Sequence, residues 1–476
     1  MIRIYIDWNL FSNMRNQRNT NFNEIENFIK LNDKSVLIPF SPAHLQDLKR
    51  SYFQSEKGKI ETEKDLAYIS TLTNDYCLYY RHKDKTVNPQ RINPLKYFNE
   101  IYVDNDNLDP FDFENLFDLD DPLGKLWHSY IKILNLLPTG IDFSELDKLP
   151  HKYDEFKEIF SHSKVNNNFG NLMKDIMELL NDSEKFERIF KSIRETSNKD
   201  MKINTNTEEW GNPFLYLSKI LQQNKIEKSF LSLTTDIIKD SNKKASRFDY
   251  FSNYYIQLDM FGYNKDNKIS NLIDDASHSF YGAHCDIFVT DDRNTYRKSI
   301  ALYSELNIST EVCNSTEFFT TVRKKKIYPP EETIEKQIIY FIKNSFILLD
   351  SVDDEFNPAR IHKIEPYFKN FFNRMQISEY ENETVLTFYK KHGNYSDFVF
   401  WIEMKNVIDI IVRELGTDQS NRSEFLNEEI EDVDNGNWTG RIWEFGDIIY
   451  ELDYLKESFG LVFRLRLKTT GNNMHE

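Results

Sequence analysis

The sequence predicts an α/β fold, in which a parallel sheet flanked by helices carries an inserted helical region and is followed by an α+β domain. Residues 2–6 have the composition of a strand at the start of the chain. Residues 287–289 form a short apolar run without polar alternation, which is typical of a strand buried on both faces of a parallel sheet. Between them, residues 122–259 carry apolar side chains at helical spacing.

Both predicted strands end in acidic residues. Asp7 follows the first strand, and Thr290, Asp291 and Asp292 follow the second. Open α/β sheets bind their ligands at the carboxyl ends of the strands, so Asp7 and Asp292 are expected to converge there. Aspartate favours helix starts, and the sequence therefore predicts a helix that opens at Asp275 and supplies a further acid.

A third predicted strand, residues 35–40, leads into a helix. Ser41 is a good N-cap residue and Pro42 suits the first helical position. His44 and Asp47 stand three residues apart, which places them on one face of that helix. This face is expected to add polar groups near the strand ends.

Taken together, these segments resemble the PIN-like nuclease superfamily. The matching segments are a strand followed by Asp7-x-Asn9, Ser41 followed by a helical Asp47-Leu48, a helix opening at Asp275, and Val289-Thr-Asp-Asp292. Asp47 stands where the family usually has Glu, so its side chain is one methylene shorter. The resemblance covers roughly residues 1–75 and 250–325, with a longer separation between the second and third acids than a minimal PIN domain has.

The resemblance implies a PIN-like (Rossmann-like) domain that hydrolyses phosphodiester bonds, in RNA more often than in DNA. Converging carboxylates repel one another, and hard divalent cations such as Mg²⁺ or Mn²⁺ relieve that repulsion. Asp7, Asp275 and Asp292 are the expected metal ligands, with Asp291 as a substitute. Asp47 is expected to complete the ligand set or to orient the attacking water.

Other polar residues are predicted to support these acids. Asn9 and Thr290 are candidates to fix the carboxylate rotamers by hydrogen bonds. Ser41, His44 and His278 are candidates to contact substrate or to support the acids, and either histidine could protonate the leaving group. A structural role for each histidine remains the alternative.

The predicted domain organisation has four segments. The PIN-like domain occupies residues 1–80 and 248–326, and residues 81–247 form the helical insertion, which either covers the site or buttresses one side. Residues 331–476 form a C-terminal α+β domain without an assigned role. In this last domain the patterns predict helices at residues 332–349 and 364–375 and strands at residues 383–389 and 398–404.

Composition limits the class of protein. The formal net charge of −17 argues against a general nucleic-acid coat, because phosphate affinity comes mainly from Lys and Arg. It does not argue against a metal-dependent nuclease. Basic groups at residues 81–83 and 323–326 are candidate phosphate contacts or simply solvated faces. The three cysteines lack zinc-site or disulfide spacing, and the absence of a membrane-length apolar run predicts a soluble, cytoplasmic protein with no membrane partner.

Three functions compete on the sequence alone. The first is a metal-dependent endonuclease, with a bacterial toxin or antiphage effector as its biological role and a regulatory protein as a further partner. The second is a catalytically silent PIN-like scaffold or partner-binding module. The third is nucleotide binding without hydrolysis, which the absence of a GxGxxG or Walker motif disfavours. Metal dependence separates the first from the second.

Overall fold

A computed structural model gives the structure of the protein. It describes residues 1–81, 86–103, 143–148, 157–165, 175, 183–241, 246–266, 269–325, 333–352, 358–391, 398–455 and 460–468. The chain divides into two compact units. The first unit contains residues 1–94 and 278–476, and the second contains residues 95–277. The sequence analysis instead placed the return from the insertion to the α/β domain at residue 248, and gave residues 331–476 a domain of their own.

The first unit begins with alternating strands and helices. In chain order these are β1 (Ile2–Ile6), α1 (Trp8–Arg15), α2 (Thr20–Leu31), β2 (Val36–Leu37), α3 (Pro42–Gln54), α4 (Glu56–Thr73), β3 (Tyr76–Arg81) and β4 (Thr86–Arg91). The α3 helix starts as predicted, because Ser41 accepts a hydrogen bond from the Ala43 N–H and Pro42 occupies the first turn. The β3–β4 hairpin was not predicted. Residues 82 and 83 of the first basic group lie outside the described residues.

The second unit is helical in its described part. Its elements are α5 (Pro94–Phe98), a π-helical turn (Asn99–Val103), 3₁₀ turns (Phe143–Lys148, Glu158–Phe160 and Thr207–Glu209), α6 (Ser161–Val165), α7 (Ser183–Asp200), α8 (Pro213–Gln223), α9 (Phe230–Ser241), α10 (Arg247–Met260) and most of α11 (Ile269–Gly282). A buried ion pair joins Arg194 on α7 to Asp259 on α10 at 2.8 Å. Asp259 also accepts the Asp266 N–H at 2.6 Å, so one carboxylate ties two helices to the segment before α11.

The parallel sheet is completed when the chain returns to the first unit. The remaining elements of this part are β5 (Ile287–Val289), α12 (Arg293–Glu305), β6 (Glu311–Cys313) and α13 (Phe318–Lys324). The strand order is β2-β1-β5-β6, and every pair is parallel. Ile6 of β1 lies opposite Val289 of β5, so both strands end at the same level. The predicted α/β fold with a parallel sheet is confirmed.

The C-terminal part of the first unit is built on an antiparallel sheet. Its elements are α14 (Ile334–Asn344), β7 (Phe346–Val352), β8 (Pro358–Phe368), β9 (Phe372–Glu379), β10 (Glu383–Tyr389), α15 (Trp401–Leu415), α16 (Asn427–Asn435), β11 (Arg441–Phe445), β12 (Ile448–Leu455) and β13 (Gly460–Lys468). The seven strands have the order β11-β12-β13-β10-β9-β8-β7. Helices α14 and α15 share one apolar core with this sheet, in which Phe341, Phe368 and Met404 are buried.

Three predictions for this part are wrong. Residues 346–352 form β7 instead of extending a helix, and residues 398–404 lead into α15 instead of forming a strand. The helix predicted at residues 364–375 is the end of β8 and the start of β9. Its apolar residues recur at helical spacing, but Lys369 and Asn370 adopt φ angles of 48° and 56° and turn the chain between two strands.

A buried ion cluster joins the two sheets. The Arg3 guanidinium, on β1, donates to both carboxylate oxygens of Glu403 on α15, at 2.9 and 2.6 Å. Lys390 lies 3.4 Å from Glu403 and 3.4 Å from Asp286, which precedes β5. Burial alone would raise the pKa of Glu403, but Arg3 and Lys390 outweigh burial and lower that pKa to about 2. The cluster therefore fixes β1 and β5 against the C-terminal part.

None of the helices in the described ranges is both long and apolar enough to cross a bilayer.

We expect Glu403→Gln to lower the free energy of unfolding by about 3 kcal/mol at neutral pH, because it leaves the buried Arg3 without its carboxylate partner and Lys390 with Asp286 alone. The pKa of Glu403 is lower in the folded protein than its ordinary 4.5. Its contribution to stability is therefore complete above that pH and is lost as the pH falls from about 4.5 towards 2.

Urea unfolding of wild type and Glu403→Gln between pH 7 and pH 3 measures this effect. The exposed Glu431 is the matched control, and Glu431→Gln is expected to change the free energy of unfolding by less than about 0.5 kcal/mol. Equal stability of wild type and Glu403→Gln at pH 7 would contradict a stabilising role for the ion cluster.

Candidate functional site

Asp7 lies at the centre of the candidate site. It follows β1, which has β2 on one side and β5 on the other, and it is only 4% exposed. It occupies the N-cap position of α1, but its side chain makes no capping hydrogen bond. Instead, the Thr290 hydroxyl donates to Asp7 Oδ2 at 2.7 Å. The second carboxylate oxygen of Asp7 is thus free of a helix-capping role.

Asp47 and His278 lie beside Asp7. His278 Nε2 is 2.7 Å from Asp47 Oδ2 and 4.0 Å from Asp7 Oδ1. One ligand atom from each of the three residues lies within 4.8 Å of the others, which is close enough for a single metal ion to be shared. The α3 helix supplies Asp47 as predicted, and the last turns of α11 supply His278.

A buried network of polar side chains holds His278 in place. The Tyr5 hydroxyl lies 2.9 Å from His278 Nδ1 and 2.7 Å from Ser41 Oγ. Because Nε2 of His278 faces a carboxylate, it carries the proton in the neutral ring, and Nδ1 accepts from Tyr5. A continuous chain of hydrogen bonds therefore runs from Ser41 through Tyr5 and His278 to Asp47.

Both ring nitrogens of His44 are held by backbone hydrogen bonds. Its Nδ1 accepts the Ser41 N–H at 3.0 Å, so its Nε2 carries the proton and donates to the Ile6 carbonyl at 2.8 Å. Burial, together with the nearby His278, lowers the pKa of His44 to about 3 and keeps the ring neutral. The ring therefore fixes the end of β1 and the start of α3, and its one N–H is engaged by the Ile6 carbonyl.

The acids after β5 have local partners. Asp292 Oδ1 accepts the Thr295 N–H at 2.7 Å and caps α12, while the Asp292 N–H donates to Thr290 at 3.2 Å. Asp291 is exposed and accepts the Ser315 N–H at 2.8 Å, an arrangement that orders the loop after β6. Asn9 is exposed on α1, and its predicted contact with a carboxylate stays a prediction.

The predicted helix start at Asp275 is also wrong. The α11 helix begins at Ile269, and Asp275 lies within it. Leu272, Ala276 and Phe280 are buried and recur at helical spacing. Because Leu272 precedes Asp275, the buried face of the helix begins before that residue. Asp275 belongs to the second compact unit, where its carboxylate lies within 4.8 Å of that of Asp266. Its role as a ligand together with Asp7 stays a prediction.

The electrostatics of Asp7 fit a cation site. Burial is the largest cause that raises its pKa, and repulsion from Asp47 and Asp292 adds to it. His278 and the Thr290 hydrogen bond act in the opposite direction without cancelling the rise. Carboxylate oxygens are the donors that Mg²⁺ and Mn²⁺ prefer. A divalent cation would therefore remove the repulsion that these side chains face.

Comparisons with protein-family models, curated proteins and solved structures gave no match.

We expect Asp7→Asn to raise the free energy of unfolding in metal-free buffer by about 1 kcal/mol, because the change removes a buried charge that two other carboxylates repel. The Thr290 hydroxyl can still donate to the amide oxygen. Urea unfolding in the presence of EDTA measures the difference.

The exposed Asp33 offers a matched control, and Asp33→Asn is expected to leave stability unchanged. A loss of stability in Asp7→Asn would mean that the carboxylate stabilises the start of α1, and it would weaken the case for a ligand role.

Proposed function

We propose that this protein is a divalent-metal-dependent nuclease that hydrolyses phosphodiester bonds, with Asp7 as the central metal ligand. The observation that carries the proposal is the position of this buried carboxylate. It ends a central parallel strand, caps no helix, and lies with Asp47 and His278 inside a 4.8 Å cluster. Ligands of open α/β sheets bind at this end of the strands.

Each side chain has a distinct part in the proposal. Asp7 would hold the cation directly, and Asp292 would contribute the carboxylate oxygen that is not engaged with Thr295. A bound Mg²⁺ or Mn²⁺ would polarise the scissile phosphate and lower the pKa of a bound water. Thr290 fixes the Asp7 rotamer through its 2.7 Å hydrogen bond.

Asp47 is suited to orient the attacking water. Its side chain is 21% exposed, whereas those of Asp7 and His278 are 5% and 2% exposed. The Asp47 carboxylate can therefore contact solvent while one of its oxygens is hydrogen-bonded to His278. His278 is in turn held by Tyr5, so the imidazole and the carboxylate keep one orientation.

The preference for RNA over DNA, and a role as a toxin or antiphage effector, are proposals that depend on the resemblance to PIN-like nucleases. The basic residues at the C-terminal end of α13 offer little direct support for either substrate. Lys324 and Lys325 both lie near Glu311, at 2.9 and 3.5 Å, so part of their charge is already matched. A regulatory protein partner remains a proposal of the same kind.

The proposal is tested by cleavage of labelled single-stranded RNA, structured RNA and DNA with EDTA, Mg²⁺ or Mn²⁺. We expect metal-dependent cutting that Asp7→Asn and Asp47→Asn abolish. Thr290→Val leaves the carboxylates in place but removes the hydrogen bond to Asp7, and it is expected to lower the rate about 10- to 100-fold.

Asp33→Asn is the control for these variants and is expected to cut like wild type. Calorimetric titration with Mn²⁺ gives a second measurement that does not depend on the choice of substrate. If well-folded wild type neither binds Mn²⁺ nor cuts any of these nucleic acids, the nuclease proposal fails and a catalytically silent scaffold becomes the better interpretation.

A further inference from the structure

A second polar cavity lies at the opposite end of the parallel strands. Its volume is about 100 Å³, which is room for several water molecules or one small anion. One wall is formed by Arg3 on β1 and by residues 283–286, which precede β5. The other wall is formed by residues of β8 and β9, so the cavity lies between the parallel sheet and the antiparallel sheet of the first unit.

The lining of this cavity is strongly basic. Its acidic members are Asp286 and Glu365, and its basic members are Arg3, Lys325, Lys363, Arg374 and Lys391. The whole chain carries a formal net charge of −17, so this concentration of cations is local. Cations that face one small cavity repel one another unless an anion lies between them.

The acids nearby do not neutralise all of these cations. Asp286 accepts the Arg3 N–H at 2.9 Å, the Tyr367 hydroxyl at 3.2 Å and Lys390 at 3.4 Å. The Asp286 carboxylate is thus already engaged within the ion cluster that joins the two sheets. Glu365 pairs with Lys363 at 2.8 Å, where both side chains are about half exposed.

Arg374 and Lys391 have no close carboxylate among the described residues, and Glu365 acts on Arg374 from a longer distance. In the described part of the chain no carboxylate oxygen lies within 4.0 Å of either cationic group, and Arg374 donates to the Asn373 carbonyl at 2.9 Å. Arg374 is half-buried, and burial lowers its pKa. A half-buried guanidinium without a carboxylate costs stability, which is typical of a group kept for a ligand.

Asn373 holds these two cationic residues in a fixed arrangement. Its side chain accepts the Lys391 N–H at 2.8 Å and donates to the Lys391 carbonyl at 3.0 Å. Arg374 is the next residue along β9. The buried Asn373 side chain therefore links the backbone of Lys391 to the strand that carries Arg374.

We propose that this cavity binds a phosphate group, either as inorganic phosphate or as a phosphate of a small nucleotide. Arg374 would supply the planar fork of donors that matches phosphate oxygens, and Lys391 would add charge. The site lies at the amino ends of β1 and β5, whereas Asp7 follows the carboxyl end of β1. It is therefore a ligand site in addition to the proposed nuclease centre.

Isothermal titration of the full chain with inorganic phosphate, AMP and ATP tests the proposal. We expect saturable binding of phosphate or of a nucleotide to wild type, and an affinity lowered by about tenfold or more in Arg374→Gln and in Lys391→Gln. Lys405 is an exposed lysine that pairs with Asp409 elsewhere in the same unit, and Lys405→Gln is expected to bind like wild type.

Comparing the ligands identifies the source of the phosphate group. Tighter binding of inorganic phosphate than of AMP or ATP assigns the site to the free anion, and the reverse order assigns it to a nucleotide. Absence of binding by wild type at millimolar ligand overturns the proposal. Equal affinity in wild type, Arg374→Gln and Lys391→Gln overturns it as well.

Thermal unfolding separates a binding defect from a folding defect. Because Arg374 forms no ion pair with any described carboxylate, Arg374→Gln is expected to melt at the same or a higher temperature than wild type in phosphate-free buffer. Its melting temperature should then rise less than that of wild type when phosphate is added. A variant that is destabilised without phosphate and keeps the full phosphate-induced rise would show a structural role for Arg374.

Discussion

The buried ion pair between Arg3 and Glu403 is the constraint on which the rest of the first unit depends. Arg3 is on β1, and Glu403 is on a helix that packs against the antiparallel sheet. Lys390 and Asp286 extend the pair to β5, the second central strand. Isolated buried charges are costly, so these groups stabilise the fold only when all of them are present in one geometry. That requirement fixes β1 and β5 together against the C-terminal part.

Fixing these two strands also fixes the acids that follow them. Asp7 comes directly after β1, and Thr290 comes directly after β5, so the hydrogen bond between them depends on the register of the two strands. The ion cluster pairs opposite charges, whereas the candidate site brings several carboxylates together. Burial raises the pKa of Asp7, and repulsion from Asp47 and Asp292 adds to the rise. Such an arrangement favours a bound cation over stability of the empty protein.

One short strand thus separates regions of opposite electrostatic character. The cavity beside Arg3 collects cations, and the cluster around Asp7 collects carboxylates. A divalent cation would balance the second region, and a phosphate group would balance the first. Both regions lie within the first compact unit. Its packing keeps side chains of like charge close together despite their mutual repulsion.

The sequence by itself determined the parallel α/β sheet, the place of Asp7 and Asp292 at the strand ends, and the helix that carries Ser41 and Asp47. These features follow from local rules of strand burial and helix capping. Only the tertiary structure decided that Tyr5 links Ser41 to His278, because a tyrosine in an apolar strand has the pattern of a core residue. It also separated β8 from β9, whose apolar spacing matches a helix, and formed the basic cavity from residues that are distant in the chain. Local patterns cannot encode these features, since each depends on side chains brought together by long-range contacts.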